Sequence, residues 1–266
     1  MKTLIVNADD FGLSDGISLG IAGLMAAGAV TSTTVMTCAD GAEERVRRHA
    51  PLLRGRAGVH LQLSAGRPRL APERASSLVG ADGCFHRRVP LDFAPDPAQV
   101  AAEWTAQIEA LMAWGVVPTH LDGHHHVHVL PACREALLAV AGRFGLPVRA
   151  VTAADQAALR GSSIACPDVF AGDFDEGART TERFLSLAAR ALASCPEGGA
   201  AEVMVHPGLA EPGLERITSY AAQRAEELAA LAAAPSTRAA VLCGARAGSY
   251  AVLARDVVDK ALGAKG

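Results

Sequence analysis

The strongest constraint on this chain is a rhythm: short apolar runs alternate with longer stretches of helical spacing over almost its whole length. Residues 3–8 read as a buried strand, and 15–27 follow with Ile17, Ile21, Leu24 and Met25 on one helical face. Residues 30–37 are rich in β-branched side chains and read as a second strand. The pattern then predicts a helix over 39–50 stopped by Pro51, a strand over 57–63 and an amphipathic helix over 97–114 ended by Gly115. A strand over 118–122 leads to a helix over 131–144, opened by Pro131 and closed by Gly145. Weaker strand candidates lie at 147–151 and 163–165, before a helix over 180–193, a strand over 202–206, a helix over 219–234 and a last strand over 239–243.

Strand–helix alternation implies a parallel sheet covered by helices, either open and doubly wound or closed into a barrel. The number of strands favours closure. The expected fold is therefore α/β, a single-domain distorted (β/α) barrel with a mainly parallel sheet over residues 1–266. No internal repeat and no Gly/Ser-rich linker divides the chain. Residues 64–95 break the rhythm with many Arg, Gly and Pro residues. A stretch of this kind is either a binding loop or lid, or a mobile surface insertion.

In a (β/α) barrel the C-terminal ends of the strands converge on one face, and that face carries the chemistry. Four polar clusters fall there: Asn7-Ala8-Asp9-Asp10, Val59-His60, the run from His120 to His128, and Val205-His206-Pro207. Adjacent carboxylates at a strand end point apart, so one of Asp9 and Asp10 can ligate a metal while the other faces substrate; a helix cap is the plainer alternative. Phe11-Gly12 after them suggests a tight turn. Five of the nine histidines (His120, His124, His125, His126, His128) fall in one window with Asp122. Imidazole is the commonest protein metal ligand, and a carboxylate that fixes its tautomer strengthens it. In an extended segment His125 would point away from His124 and His126. His60 alone reads more readily as a satisfied core histidine than as a ligand, but a catalytic site of the zinc type commonly uses three protein ligands, which raises its value. His206, before Pro207-Gly208, is open between ligand, acid and structural residue.

Composition removes other classes. The formal net charge is −3, only 4% of residues are aromatic, and no basic stripe appears, which argues against nucleic acid. Six scattered cysteines without a CxxC fit reduced structural thiols. No apolar run approaches the roughly 18 residues of a membrane span, so the expectation is a cytoplasmic protein with no membrane partner. Neither GxSxG, GxGxxG nor GxxxxGK[ST] occurs.

At these residues the chain resembles the YdjC-like carbohydrate deacetylases, and within them the ChbG-type chito-oligosaccharide deacetylases. The similarity runs through LIVNADDFGLS (4–14), GAVTSTTVM (28–36), GVHLQL (58–63), PTHLDGHHHVHVLP (118–131), EVMVHPG (202–208) and Gly248-Ser249-Tyr250. It is weakest over 67–95 and 155–177. The resemblance implies a distorted barrel with a divalent metal held by Asp10, His60 and His124, with Asp9 as general base and His206 as general acid. It points to magnesium, whereas two imidazoles and a carboxylate suit zinc by ligand softness. The implied substrate is a small N-acetylated sugar such as diacetylchitobiose, deacetylated with release of acetate. A homo-oligomer such as a dimer stays open, as do the tasks of His120, Asp122, His126 and His128. The alternatives are another metallohydrolase such as a phosphoesterase, or a metal- or sugar-binding protein without turnover.

Overall fold

A computed structural model of the protein describes residues 1–90 and 92–254. Its centre is β1 (Thr3–Phe11), buried at every position. Around it lie β2 (Ser32–Val35), β3 (Ala57–Leu61), β4 (Leu121–Gly123), β5 (Val169–Ala171) and β6 (Ala200–Val205), in the order β4-β3-β2-β1-β6-β5 and all parallel. A two-residue β7 (Arg246–Ala247) pairs with Thr3 and Leu4, below the point where β2 joins β1 at Asn7.

The helices follow their local signals. Ser14 caps α1 (Asp15–Ala26) by accepting from the Ile17 amide, and Asp96 with Pro97 opens α3 (Pro97–Ala113). Between them, α2 (Ala42–Leu53) carries Pro51 inside its last turn, so the helix runs on to Leu53 instead of stopping at residue 50. Gly145, left-handed at φ 62, ends α4 (Arg134–Phe144). A reciprocal Thr152–Asp155 capping box starts α5 (Ala153–Gly161), a helix that the strand-and-loop reading of this region missed. The remaining helices are α6 (Thr181–Ser194), the short α7 (Leu214–Ile217), α8 (Ala222–Ala233) and α9 (Ser236–Leu242). The last of these replaces the strand expected over 239–243: its apolar run is too short for its periodicity to separate the two.

The sheet is a distorted barrel. Segments 147–151 and 163–165 form no regular strand, yet they bridge the gap between its edges. Leu121 pairs with Val148 in an isolated parallel bridge, and the Val148 amide donates to the Ala165 carbonyl at 2.9 Å. From Ala165 the chain runs on into β5. Two ladder contacts thus close the circuit where a full strand would make several.

Alternation along the strands separates two environments. Leu4, Val6, Ala8, Val59, Leu61, Leu121, Val203 and Val205 join the main apolar core beneath the helices. The intervening residues Asn7, Asp9, Thr34, His60, Asp122 and Glu202 face inward and are all buried. The inward layer closes near the N-terminal end with Ile5, Ala200 and Tyr250. Purely parallel sheets usually carry apolar side chains on both faces; this one fills its interior with polar groups.

Gly58 tests how tightly that interior is packed. A Cβ there would lie 2.5 Å from both His120 Nδ1 and the His120 carbonyl, and neither can retreat cheaply. Gly58→Ala should therefore lower unfolding free energy by roughly 1–3 kcal/mol, the cost of overpacking. Gly23→Ala, on the open side of α1 with nothing within 4 Å of its Cβ, should raise it by about 0.5–1 kcal/mol. Denaturant melts of both variants check the pair; a neutral Gly58→Ala would mean that the strand gives way.

Candidate active site

The C-terminal ends of β1, β3, β4 and β6 bring Asp9, Asp10, His60, His124 and His206 onto one face. Asp10 leaves the β1 line at a left-handed φ of 70, and Gly12 continues the turn at φ 94, closed by the Leu13 amide on the Asp10 carbonyl at 3.1 Å. This kink sends the two neighbouring carboxylates different ways. Asp9 turns into the barrel. Asp10 faces the histidines.

Asp10 Oδ1 lies 3.3 Å from His60 Nε2 and 3.2 Å from His124 Nδ1, and its Oδ2 accepts from Arg224 Nη2 at 2.5 Å. His60 Nδ1 is 2.7 Å from Asp122 Oδ1, and Thr34 Oγ1 donates to Asp122 Oδ2 at 2.9 Å. Burial opposes a charge on His60, but the carboxylates of Asp122, Asp10 and Asp9 outweigh it and push its pKa up to about 10. Burial likewise works to raise Asp10, while Arg224 and the two imidazoles hold its carboxyl well below the usual range.

This donor set fits a divalent cation. Ligand bonds of about 2.1 Å at tetrahedral angles place donors about 3.4 Å apart, close to the 3.2 and 3.3 Å found between Asp10 Oδ1 and the two ring nitrogens. With His60 protonated, its Nε2–H faces Asp10; a cation bound there would take the place of that proton, with the Nδ1–H still held by Asp122, the tautomer a metal-bound imidazole adopts. A second grouping of Asp9, His60 and Asp122 is also compact. Its carboxylates are already committed to Arg149, so the set of Asp10, His60 and His124 is the better cation site.

Arg149 is the residue that sequence reading overlooked. Fully buried, it donates from Nη1 to Asp9 Oδ2 at 2.6 Å and from Nη2 to Asp9 Oδ1 at 2.7 Å. Its Nε reaches Glu202 at 2.9 Å, and Nη2 lies 3.0 Å from Asp122. Burial would raise the Asp9 pKa, but Arg149, with His60 and His206, holds it below the ordinary carboxylate range. Tyr250 completes the layer: its hydroxyl donates to Glu202 at 2.5 Å, and its ring stacks on His120 at 3.7 Å. His120 Nε2 in turn meets Asn7 Oδ1 at 3.1 Å. A lone arginine inside the apolar run of 146–151 was the available signal. Arg224, Glu227 and Tyr220 gave none, since each looks like an ordinary polar residue in or beside a helix.

Those last three residues hold His206. Glu227 accepts from the His206 amide at 2.6 Å and from the Tyr220 hydroxyl at 2.5 Å, and the Tyr220 ring lies edge-on to the imidazole. His206 Nε2 thereby sits 4.0 Å from Asp9 Oδ2, with the imidazole 18% exposed and Asp9 at 2%.

The histidine run is a turn, not the extended segment expected. His125 and His126 are left-handed at φ 52 and 56, conformations that cost roughly 1–2 kcal/mol each for residues other than glycine. The His125 ring therefore packs 3.9 Å from that of His124 instead of pointing away, and its Nδ1 is 3.0 Å from Ser64 Oγ. His128 Nε2 is 3.2 Å from the Arg149 carbonyl, which ties the turn to the barrel seam. Burial pushes His126 down to about 4, so its ring is neutral.

Residues 64–95 form an anchored lobe, although Leu91 lies outside the described residues. Buried Leu78 and Phe85 pin it, and Glu103 accepts from the Arg69 and Leu70 amides. Between this lobe, the start of α1 and the loop after β6 lies a cleft of about 610 Å³, lined by Leu13, Met36, Gln62, Arg67, Phe85, Arg87 and Glu211 among others. Among the described residues no helix is long and apolar enough to cross a membrane.

A family model described as YdjC-like protein matches residues 3–241. A carbohydrate deacetylase of Geobacillus stearothermophilus is 38% identical over 227 residues, covering 85% of this chain and 88% of its own. One from Thermoanaerobacter pseudethanolicus is 36% identical over 231 residues, covering 85% and 89%. A crystal structure of an Enterococcus faecalis V583 protein named for cellobiose-phosphate cleavage is similar at a TM-score of 0.83 and 31% identity, over 94% of this chain and 97% of its own.

Arg149 gives the sharpest test of the buried layer. Arg149→Met leaves Asp9, Asp122 and Glu202 without their shared cation and should cost about 3–5 kcal/mol in unfolding free energy. Arg149→Lys keeps the charge but not the fork and should fall between that variant and the parent. Urea unfolding at neutral pH reads both, and a Met variant as stable as the parent would remove Arg149 from this role.

Proposed function

This chain belongs to the YdjC-like protein family, and we propose that it works as a metal-dependent carbohydrate deacetylase, removing N-acetyl groups from amino sugars such as those of chito-oligosaccharides. Diacetylchitobiose is the smallest such oligomer. One observation carries the reading: Asp10, His60 and His124 converge on one point while the adjacent Asp9 faces His206 across 4.0 Å. A three-donor cation site beside a carboxylate–imidazole pair is what hydrolysis of an unactivated amide needs.

In this reading Asp10, His60 and His124 would hold a divalent cation, which when bound would supply Lewis acidity toward the acetyl carbonyl and water. Asp9, kept ionised by Arg149, accepts the proton of the attacking water on a lone pair that the guanidinium leaves free. His206, anchored by Glu227 and flanked by Tyr220, protonates the departing amine. Arg149 fixes the direction of Asp9, and Asp122 fixes the tautomer of His60. The cleft of about 610 Å³ is lined by Leu13 and Gln62, which follow Asp10 and His60 in the chain, and it has the volume to take a sugar unit. A two-metal phosphoesterase is disfavoured, because Asp9 and Asp122 are both committed to Arg149.

Two measurements test this. Protein stripped by chelator should lose acetate release from N-acetylglucosamine oligomers and regain it with one of Mg²⁺, Zn²⁺, Co²⁺ or Mn²⁺ added singly. His124→Ala should bind less metal while staying folded; full occupancy in that variant would sink the ligand assignment.

The second measurement uses leaving-group chemistry. An amine leaves only when protonated, whereas the phenolate of an activated aryl acetate leaves unaided. His206→Ala should cost roughly 10²–10⁴-fold in kcat/KM on the N-acetyl sugar and far less on the aryl ester. Asp9→Asn should impair both substrates alike. Equal losses on both substrates for His206→Ala would end its role as acid.

A further inference from the structure

His126 is the residue of the histidine run to which nothing above gives a task. Its left-handed backbone directly follows that of His125. Its Nδ1 is sealed from solvent, and among the described residues no hydrogen bond reaches either ring nitrogen. The ring stands edge-on to Phe170 at 5.9 Å, and the Arg149 guanidinium lies 5.3 Å from the same phenyl ring. Arg149 in turn grips Asp9, so His126 and Phe170 stand on the Asp9 side of the site.

Packing alone does not account for this choice. Glycine or asparagine adopts the left-handed region more easily, and an apolar ring would fill the space without an unpaired nitrogen. Strained residues persist where function uses them. With Nδ1 sealed, Nε2 is the nitrogen open to a ligand. A buried N–H without a partner is rarer than a bare acceptor, so the proton sits on Nε2.

We propose that His126 contacts the substrate, its Nε2 donating a hydrogen bond to a hydroxyl of the sugar that carries the acetamide. The inference rests on the carbohydrate deacetylase reading and names a residue that makes the enzyme select a sugar. The acetyl oxygen belongs on the Asp10, His60 and His124 side. The sugar ring then extends past Asp9 and His206, where His126 and Phe170 form the wall.

The test compares His126→Gly and His126→Gln on an N-acetylglucosamine oligomer and on an aryl acetate, with bound metal and Tm measured for each. For His126→Gly, KM for the sugar should rise about 3–10-fold, the worth of one neutral hydrogen bond. Its kcat and its kcat/KM on the aryl acetate should stay within about twofold by the same reckoning, since the acyl group is untouched. Metal content should not change, and Tm should hold or rise as the strain is relieved. His126→Gln places an N–H at similar reach and should recover most of the KM loss. Equal losses on both substrates, an unchanged KM, or a fall in Tm together with lost metal would each overturn the proposal. If the unmodified protein cleaves the aryl acetate and no N-acetyl sugar, the deacetylase reading falls and takes this inference with it.

Discussion

One guanidinium governs the interior of this barrel. Arg149 meets three carboxylates, Asp9, Asp122 and Glu202, with no exposed surface of its own. Burying an ion is costly unless its partners are close and well aimed. Here each partner also contacts a further group: Asp9 takes Asn7, Asp122 takes His60 and Thr34, and Glu202 takes Tyr250. The directions of Asp9 and, through Asp122, of His60 are therefore set by the same guanidinium. The site is a surface extension of a buried charge network that must form whole.

A second support comes from outside the barrel. On α8, Arg224 reaches inward to Asp10 while Glu227 holds the His206 amide, so one helix positions both residues. Arg224 occupies Oδ2 of Asp10 and leaves Oδ1 turned toward His60 and His124. Arrangements of this sort keep a ligand single-toothed and its orientation fixed.

Much of this was legible in the sequence. The alternation of runs gave the parallel sheet and its barrel-like closure, and the strand-end clusters named the polar residues that the fold gathers at one face. What stayed hidden has identifiable causes. Arg149, Arg224 and Glu227 act through distances across the fold, and periodicity carries no such information. The turn at His125 and His126 escaped because the run carries no glycine or proline to mark one, although histidine is among the residues that tolerate the left-handed region. The segment 239–243 became α9 because a five-residue apolar run suits either state. The capping box of α5 was readable and went unread beside two weak strand candidates.

The seam at Val148 has a mechanical consequence. Elsewhere each strand is held by a ladder of several bonds, whereas between β4 and Ala165 the wall is closed by a bridge and one amide. Backbone pairing is therefore thinnest at this seam. The next residue along the seam is Arg149, which joins Asp122 on β4 to Glu202 on β6 across the gap and holds Asp9 on β1 between them. Electrostatic attraction thus does the work of missing backbone pairing, and the barrel is zipped shut by its own active-site charges.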